Sequence, residues 1–260
     1  MMSFEEKKVL VTGAGSGIGK AIAKAFAKNG AHLIINDLTE DRANSTQQEI
    51  VNEGGKTISI IADVSSKEQV SRMVNRAIEE FGWIDVLVNN AGIFTPCEFF
   101  DLGEKNWDRT FAVNVKGMFL CSQLVSREMI KRKSGSIINL SSITAKIPYS
   151  NYVDYCCTKA AVSQFTRVLA LILAPYGITV NAIAPGSTEG TEMWEHVVKK
   201  NAKMKEYTIK GDAEKFRIGI PLGRLAKPED QASMVLYLAS EEAHHITGQT
   251  IFIDGGSSIF

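Results

Sequence analysis

The sequence predicts an α/β fold in which helices cover both faces of a parallel sheet, and three observations predict it. Short apolar, β-branched runs alternate with helical stretches of about ten to fifteen residues along the chain, the pattern of parallel strands joined by helical crossovers. The first run, KVLVT at 8–12, passes directly into the glycine loop GAGSGIG and then into an amphipathic helix pattern. Polar residues that stand out from the apolar runs, Asp37, Asp63, Asn89 and Asn90, fall at the carboxyl ends of the strands, where such sheets bind ligands.

Composition narrows the function classes. The chain has 260 residues, 45% hydrophobic and 22% charged, which suits one sizeable globular domain without linker or repeat. Lys+Arg and Asp+Glu balance at 29 each, so no basic footprint points to nucleic acid or an anionic membrane surface. The opening MMSFEEKKVLVTG runs straight into a strand-like segment, so no signal peptide is expected. No apolar run approaches the ~18 residues needed to span a bilayer. Cys97, Cys121, Cys156 and Cys157 have no metal-ligand spacing, so no metal is expected and the thiols are expected to be reduced, as in a cytoplasmic protein.

The elements follow in order. A helix over 20–29 closes at Gly30, and AHLIIND is the second strand. Strand, glycine loop and helix together form a phosphate site, because glycines let backbone approach a pyrophosphate whose charge meets the helix N-terminus. The spacing is Gly13-x-x-x-Gly17-x-Gly19, with Gly15 added, and differs from G-x-G-x-x-G. Asp37 ends the second strand eighteen residues after Gly19. A carboxylate there accepts from ribose hydroxyls and repels a 2′-phosphate. Leu38 follows it and Ser16 precedes Gly17, so no basic neighbour favours NADP, and the reading is NAD. The alternative use of Asp37, capping the next helix, is better served by Thr39.

A polar helix over 40–53 leads to a third strand ending at Asp63, placed to hold an adenine amino group. A helix over 67–81 stops at Gly82, and a fourth strand runs into NNAG at 89–92, whose amides either meet a ligand or tie neighbouring strands together. A long helix is expected over 102–132, with Asn114 buried near its middle, unfavourable unless its amide is used. The fifth strand delivers Ser141 and Ser142.

Tyr155 lies thirteen residues after Ser142 and Lys159 four after that. On a helix the two share a face one turn apart. A free tyrosine titrates near pH 10, so a shuttle near neutrality needs a phenol roughly a thousandfold more acidic, and an adjacent ammonium acts in that direction. The rest of this helix is apolar nearly all round, which predicts sheet on one side and a second subunit on the other. A sixth strand ends at Pro185-Gly186, Pro228 opens a helix, and QTIFID is the last strand. Between them, 188–217, rich in Lys, Met and Glu, is expected to cover the substrate as a mobile lid.

TGAGSGIG, Asp37, Asp63-Val64, NNAG, Asn114, Ser142, Tyr155/Lys159 and the Pro-Gly pair closely resemble the short-chain dehydrogenase/reductase family over essentially the whole chain. The resemblance implies a Rossmann-like, doubly wound parallel sheet of seven strands and a single domain over 1–260. It implies dimers or tetramers built through two long helices. It also implies reversible oxidation of a secondary alcohol, with Asn114, Ser142, Tyr155 and Lys159 as catalytic residues and NAD as cofactor. Contacts to that cofactor carry over to Gly13, Ser16, Gly17, Ile18 and Gly19, to Asp37, Leu38, Asp63 and Val64, to Asn90, Ala91 and Gly92, to Tyr155 and Lys159, and to Pro185, Gly186 and Thr188. The family's threonine five residues after the proline is Gly190 here, so Thr188 and Thr191 compete for the nicotinamide carboxamide. Ser141 is a rival hydroxyl, and the spacing to Tyr155 favours Ser142.

The C-terminal part is similar to 2,3-dihydro-2,3-dihydroxybenzoate dehydrogenases. No arginine stands between Ser142 and Tyr155 to pair with a ring carboxylate, and Lys146 is the nearest cation. Cyclic diols, polyols, sugars and acetoin-type substrates all suit the sequence. A 3-oxoacyl thioester reductase is disfavoured by Asp37, and a catalytically silent NAD-binding sensor by the intact Ser–Tyr–Lys set.

Overall fold

Five consecutive buried residues form β1, Lys8–Thr12. Val9 and Val11 enter one core layer and Leu10 the other, because successive strand side chains point to opposite faces. A strand apolar on both faces needs helices on both, and the chain supplies them. The order is β1, α1 (Gly17–Lys28), β2 (His32–Asp37), α2 (Glu40–Asn52), β3 (Thr57–Ile61), α3 (Lys67–Phe81), β4 (Val86–Asn89), α4 (Glu104–Phe111), α5 (Met118–Arg132), β5 (Gly135–Leu140), α6 (Val153–Leu173) and β6 (Ile178–Pro185). Then come α7 (Glu192–Lys200), α8 (Met204–Lys210), the short antiparallel pair β7 (Gly211–Asp212) and β8 (Arg217–Ile218), α9 (Pro228–Ala239) and β9 (Thr250–Ile253). The computed structural model describes residues 3–200, 203–213 and 217–259. Part of the expected lid, 201–202 and 214–216, lies outside the described residues.

The seven-stranded sheet has the order β3-β2-β1-β4-β5-β6-β9, and every pairing is parallel. Buried side chains of α1, α2 and α9 fill one face, and those of α3, α5 and α6 the other. The fold is the single-domain, doubly wound Rossmann-like sheet expected. Strand order reverses between β1 and β4, opening a crevice at their carboxyl ends.

Several boundaries differ from expectation, for local reasons. Gly17 and Gly19 lie inside the first turn of α1, which therefore starts earlier than residue 20. β3 ends at Ile61, and Asp63 instead organises the loop: its Oδ1 accepts from Ser65 N at 2.8 Å and Ser65 Oγ at 2.7 Å. The single helix expected over 102–132 is α4 and α5 joined by a π-helical turn, Ala112–Gly117, containing Asn114. α3 is capped as its sequence suggests, with Ser66 Oγ accepting from Gln69 N and Gly82 ending it at φ +82°.

α6 corrects one expectation. With the turn after it, Val153–Tyr176 is long and apolar enough by composition to cross a membrane, at mean hydropathy 1.3. Lys159 and Arg167 interrupt the segment in sequence, while its average stays apolar. In the fold this is a core helix, with Val162, Thr166, Ala170 and Leu173 buried and β6 packed against it. Its opposite face leaves Val168, Leu171 and Ile172 exposed.

Candidate active site

A cavity of about 770 Å³ opens at the carboxyl ends of the strands. Its wall includes every residue expected to bind cofactor or act in catalysis, except Asn114.

At one end the glycine loop turns between β1 and α1. A Cβ on Gly19 would stand 2.3 Å from Gly13 O and 2.4 Å from Asn90 Nδ2, so only glycine permits this close packing of helix on loop. Ser16 caps α1 without a side-chain hydrogen bond, and no acidic residue stands in the first turn. The helix N-terminus is thereby left to an anionic group, which fits a pyrophosphate. The Asn90 amide donates to Thr12 O and Gly13 O, both at 2.9 Å, and Asn89 donates to Ser122 Oγ and Asn139 Oδ1. Both NNAG amides therefore tie elements together; Asn90, Ala91 and Gly92 still line the cavity.

Asp37 is 7% exposed. One of its oxygens accepts from Gly15 N and the other from Thr39 N, each at 3.0 Å. A carboxylate has about four acceptor sites, so capacity remains for ribose hydroxyls. Leu38 beside it is exposed, and Asp63 and Val64 line the same cavity. Sequence reasoning missed Arg42 of α2, whose Nη2 lies 3.0 Å from Glu192 Oε1 on α7.

At the other end, α6 carries Tyr155 and Lys159 on one face. Lys159 Nζ donates to Leu140 O at 2.7 Å and stands 5.4 Å from the Tyr155 ring centroid. Ser142 Oγ accepts from Thr144 N at 3.2 Å, and its hydroxyl neighbours the Tyr155 phenol, where it favours ionisation. Ser141 Oγ instead donates to Lys159 O at 3.0 Å and pairs with Ser163 Oγ at 2.8 Å, so its hydroxyl is bound within the protein. Phe94 packs on the phenol ring, its centroid 5.1 Å from that of Tyr155 and 4.5 Å from that of Tyr152, and Tyr149 stacks on Tyr152 at 5.3 Å.

The charge balance here differs from the expectation of an ammonium-lowered phenol. Burial pushes the Tyr155 phenol up, and the neighbouring Ser142 hydroxyl opposes it only in part. Burial also brings Lys159 down to about 8. The protein's own groups therefore hold Tyr155 as a neutral phenol beside an ammonium that is lost in the mildly alkaline range.

Asn114 lies behind this wall, 2% exposed. Its Oδ1 accepts from Ile93 N at 2.8 Å, and its Nδ2 donates to Ile93 O at 3.0 Å and Thr158 Oγ1 at 3.1 Å. These bonds answer the cost of burying the amide and hold the 92–93 loop to α6. A Cβ built on Gly92 would stand 3.4 Å from Asn114 Oδ1 and 3.6 Å from Lys159 Nζ, so the amide and the ammonium flank Gly92.

Both candidate threonines are held by backbone. Thr188 Oγ1 donates to Gly186 O at 3.0 Å, and Thr191 Oγ1 donates to Thr188 O at 3.1 Å and accepts from Trp194 N at 3.2 Å. Gly190 has φ +68°, a left-handed conformation that would strain a threonine, which accounts for glycine at that position. Lys146 does not serve as a cavity cation: its ammonium donates to Ser258 O, and it does not line the wall. Arg109 of α4 and His196 of α7 do. All four cysteines are free, and no cluster of three metal-ligating side chains exists among the described residues.

A family model described as Enoyl-(Acyl carrier protein) reductase, one of the short-chain dehydrogenase/reductase models, matches residues 13–258. A 2,3-dihydro-2,3-dihydroxybenzoate dehydrogenase of Bacillus subtilis (strain 168) is 38% identical over 98% of this chain and 97% of its own. Among solved structures, a 7α-hydroxysteroid dehydrogenase complexed with NADH and 7-oxo-glycochenodeoxycholic acid superposes with TM-score 0.91 at 34% identity, covering 98% of this chain and 95% of that one. A gluconate 5-dehydrogenase from Burkholderia cenocepacia J2315, in complex with NADP and tartrate, gives TM-score 0.90 at 31% identity, covering 98% and 96%. The chain belongs to the short-chain dehydrogenase/reductase family. It is an oxidoreductase acting on CH–OH groups with a nicotinamide cofactor.

Proposed function

We propose that the protein interconverts a secondary alcohol and a ketone on a small substrate, a cyclic diol, polyol or sugar-like molecule, with NAD(H) as cofactor. The observation that carries this reading is the convergence of Ser142, Tyr155 and Lys159 on one cavity whose far end presents Asp37. The glycine loop from Gly13 through Ser16, Gly17 and Ile18 to Gly19 takes the pyrophosphate. Asp37 takes the ribose hydroxyls, and Leu38, Asp63 and Val64 the adenine. Asn90, Ala91, Gly92, Tyr155 and Lys159 border the nicotinamide ribose, with Pro185, Gly186 and Thr188 at the carboxamide. Bound there, the cofactor supplies the hydride acceptor or donor.

Ser142 and Tyr155, neighbours on the cavity wall, form a two-hydroxyl cradle for the substrate oxygen. Tyr155 gives its proton to that oxygen in reduction and, once its own proton has left for solvent, takes one from it as the phenolate in oxidation. Lys159, anchored on Leu140 O, stabilises the phenolate when it forms. Asn114 positions the 92–93 loop against Lys159. Phe94 and Tyr152 keep water from the phenol. The described part of the segment 188–217 serves as a lid, lending Met193, Trp194 and Tyr207 to the cavity wall. The exposed Val168, Leu171 and Ile172 suit a homo-oligomer, tetramer or dimer, and the free cysteines suit a cytoplasmic enzyme.

NADH-linked turnover against a panel of cyclic diols, polyols, acetoin and a 3-oxoacyl thioester tests the reading. Turnover of a secondary alcohol or its ketone is expected. NADH binding without turnover of any member favours the sensor reading instead.

A further inference from the structure

The cation nearest the ribose-reading end of the cavity is Arg42. A Cβ on Gly15 would stand 2.5 Å from Arg42 Cβ and 2.7 Å from Asp37 Oδ2, so the arginine stem and the carboxylate flank the same point above the glycine loop. An arginine in such a position is a ready partner for a 2′-phosphate. Yet its guanidinium does not pair with neighbouring Asp37. Among the described residues its ion pair is with Glu192, at 3.0 Å, the first residue of α7 on the covering segment. Asp37, Arg42 and Glu192 all line the cavity. Among the described residues, the adenosine end therefore presents the Arg42 cation against the carboxylates of Asp37, Asp63 and Glu192.

We propose that Glu192 is a second determinant of dinucleotide choice, acting from the covering segment: it holds Arg42 away from a 2′-phosphate and adds a negative charge beside Asp37. The inference rests on the nucleotide site assigned above and extends it to a residue far from the β2 terminus in sequence. The side chains of the pair are 44% and 61% exposed, so it contributes little to stability, and its effect is on which ligand charge is tolerated. The same pair fastens the start of α7 to α2. The Thr191 methyl group lies near the glycine loop, 3.4 Å from the position a Cβ would take on Gly17. A 2′-phosphate that captured Arg42 would have to release this end of the segment, whereas a free 2′-hydroxyl leaves it fastened.

The test is a fluorescence titration giving dissociation constants for NADPH and NADH, which differ only in the 2′-phosphate, with wild type, Glu192→Gln, Arg42→Ala and the double variant. Glu192→Gln is expected to lower the ratio of the NADPH to the NADH constant about tenfold, the scale of one uncompensated charge at a ligand rim. Combining it with Arg42→Ala is expected to remove most of that gain, because only the relief of the Glu192 charge itself remains without a freed arginine. A ratio unmoved by Glu192→Gln, or a gain that persists in full without Arg42, overturns the inference while leaving the nucleotide site intact. Failure of the wild type to bind either dinucleotide overturns the site and the inference together.

Discussion

Lys159 makes the pH dependence of carbonyl reduction a direct test of the site's electrostatics. Burial sets its ammonium at about 8, while burial holds the Tyr155 phenol protonated throughout the accessible range. In reduction Tyr155 gives up its proton, and the phenolate left behind is stabilised only while Lys159 is charged. The reduction rate should therefore be level below pH 8 and fall as the ammonium deprotonates. Control by one ionisation gives a loss of about tenfold for each further pH unit. The assay is NADH-linked reduction of a ketone under single-turnover conditions from pH 6 to 10, with Lys159→Met in parallel. The variant should be slower throughout and should lose the inflection near pH 8. A wild-type profile level to pH 10, or an inflection that survives in Lys159→Met, would refute the reasoning.

Other expectations follow from the same geometry. Asp37→Ala should narrow an NAD preference of about 2 kcal/mol, chiefly by restoring NADP binding; kcat/KM with both cofactors measures it, and wild-type use of NADP as good as NAD contradicts the assignment. Ser142→Ala should lower kcat without moving the Lys159 inflection, since it removes a hydrogen bond and no charge; Ser141→Ala should act on thermal stability instead, because that hydroxyl bonds Lys159 O and Ser163. Light scattering at micromolar concentration should give a dimer or tetramer, and Leu171→Glu on the outer face of α6 should shift it towards monomer.

Local pattern carried the sheet and the nucleotide end of the cavity. β1, the glycine loop and α1 are contiguous, so their hydrophobic period and their glycines report directly on one phosphate-binding unit. Tyr155 and Lys159 were legible because helical spacing alone puts them on one face. What escaped was made by residues distant in sequence. The π-helical turn at Asn114 is fixed by Ile93 from another loop and Thr158 from α6. Lys146 reads as a free cation until Ser258, near the end of the chain, takes it up. Arg42 gains its meaning only from Glu192 on the covering segment. The phenol misled for the same reason: the adjacent ammonium is visible in the sequence, whereas burial by Phe94 and Tyr152 is not, and burial dominates.

The central claim is that Tyr155 exchanges the substrate proton. Tyr155→Phe keeps the ring and its contacts with Phe94 and removes only the hydroxyl. Measured in a single turnover, where product release cannot mask the chemical step, hydride transfer in this variant should fall by ~10²–10⁴ while NADH still binds. Hydride transfer within a few-fold of wild type would contradict the account, because no proton could then have passed through Tyr155.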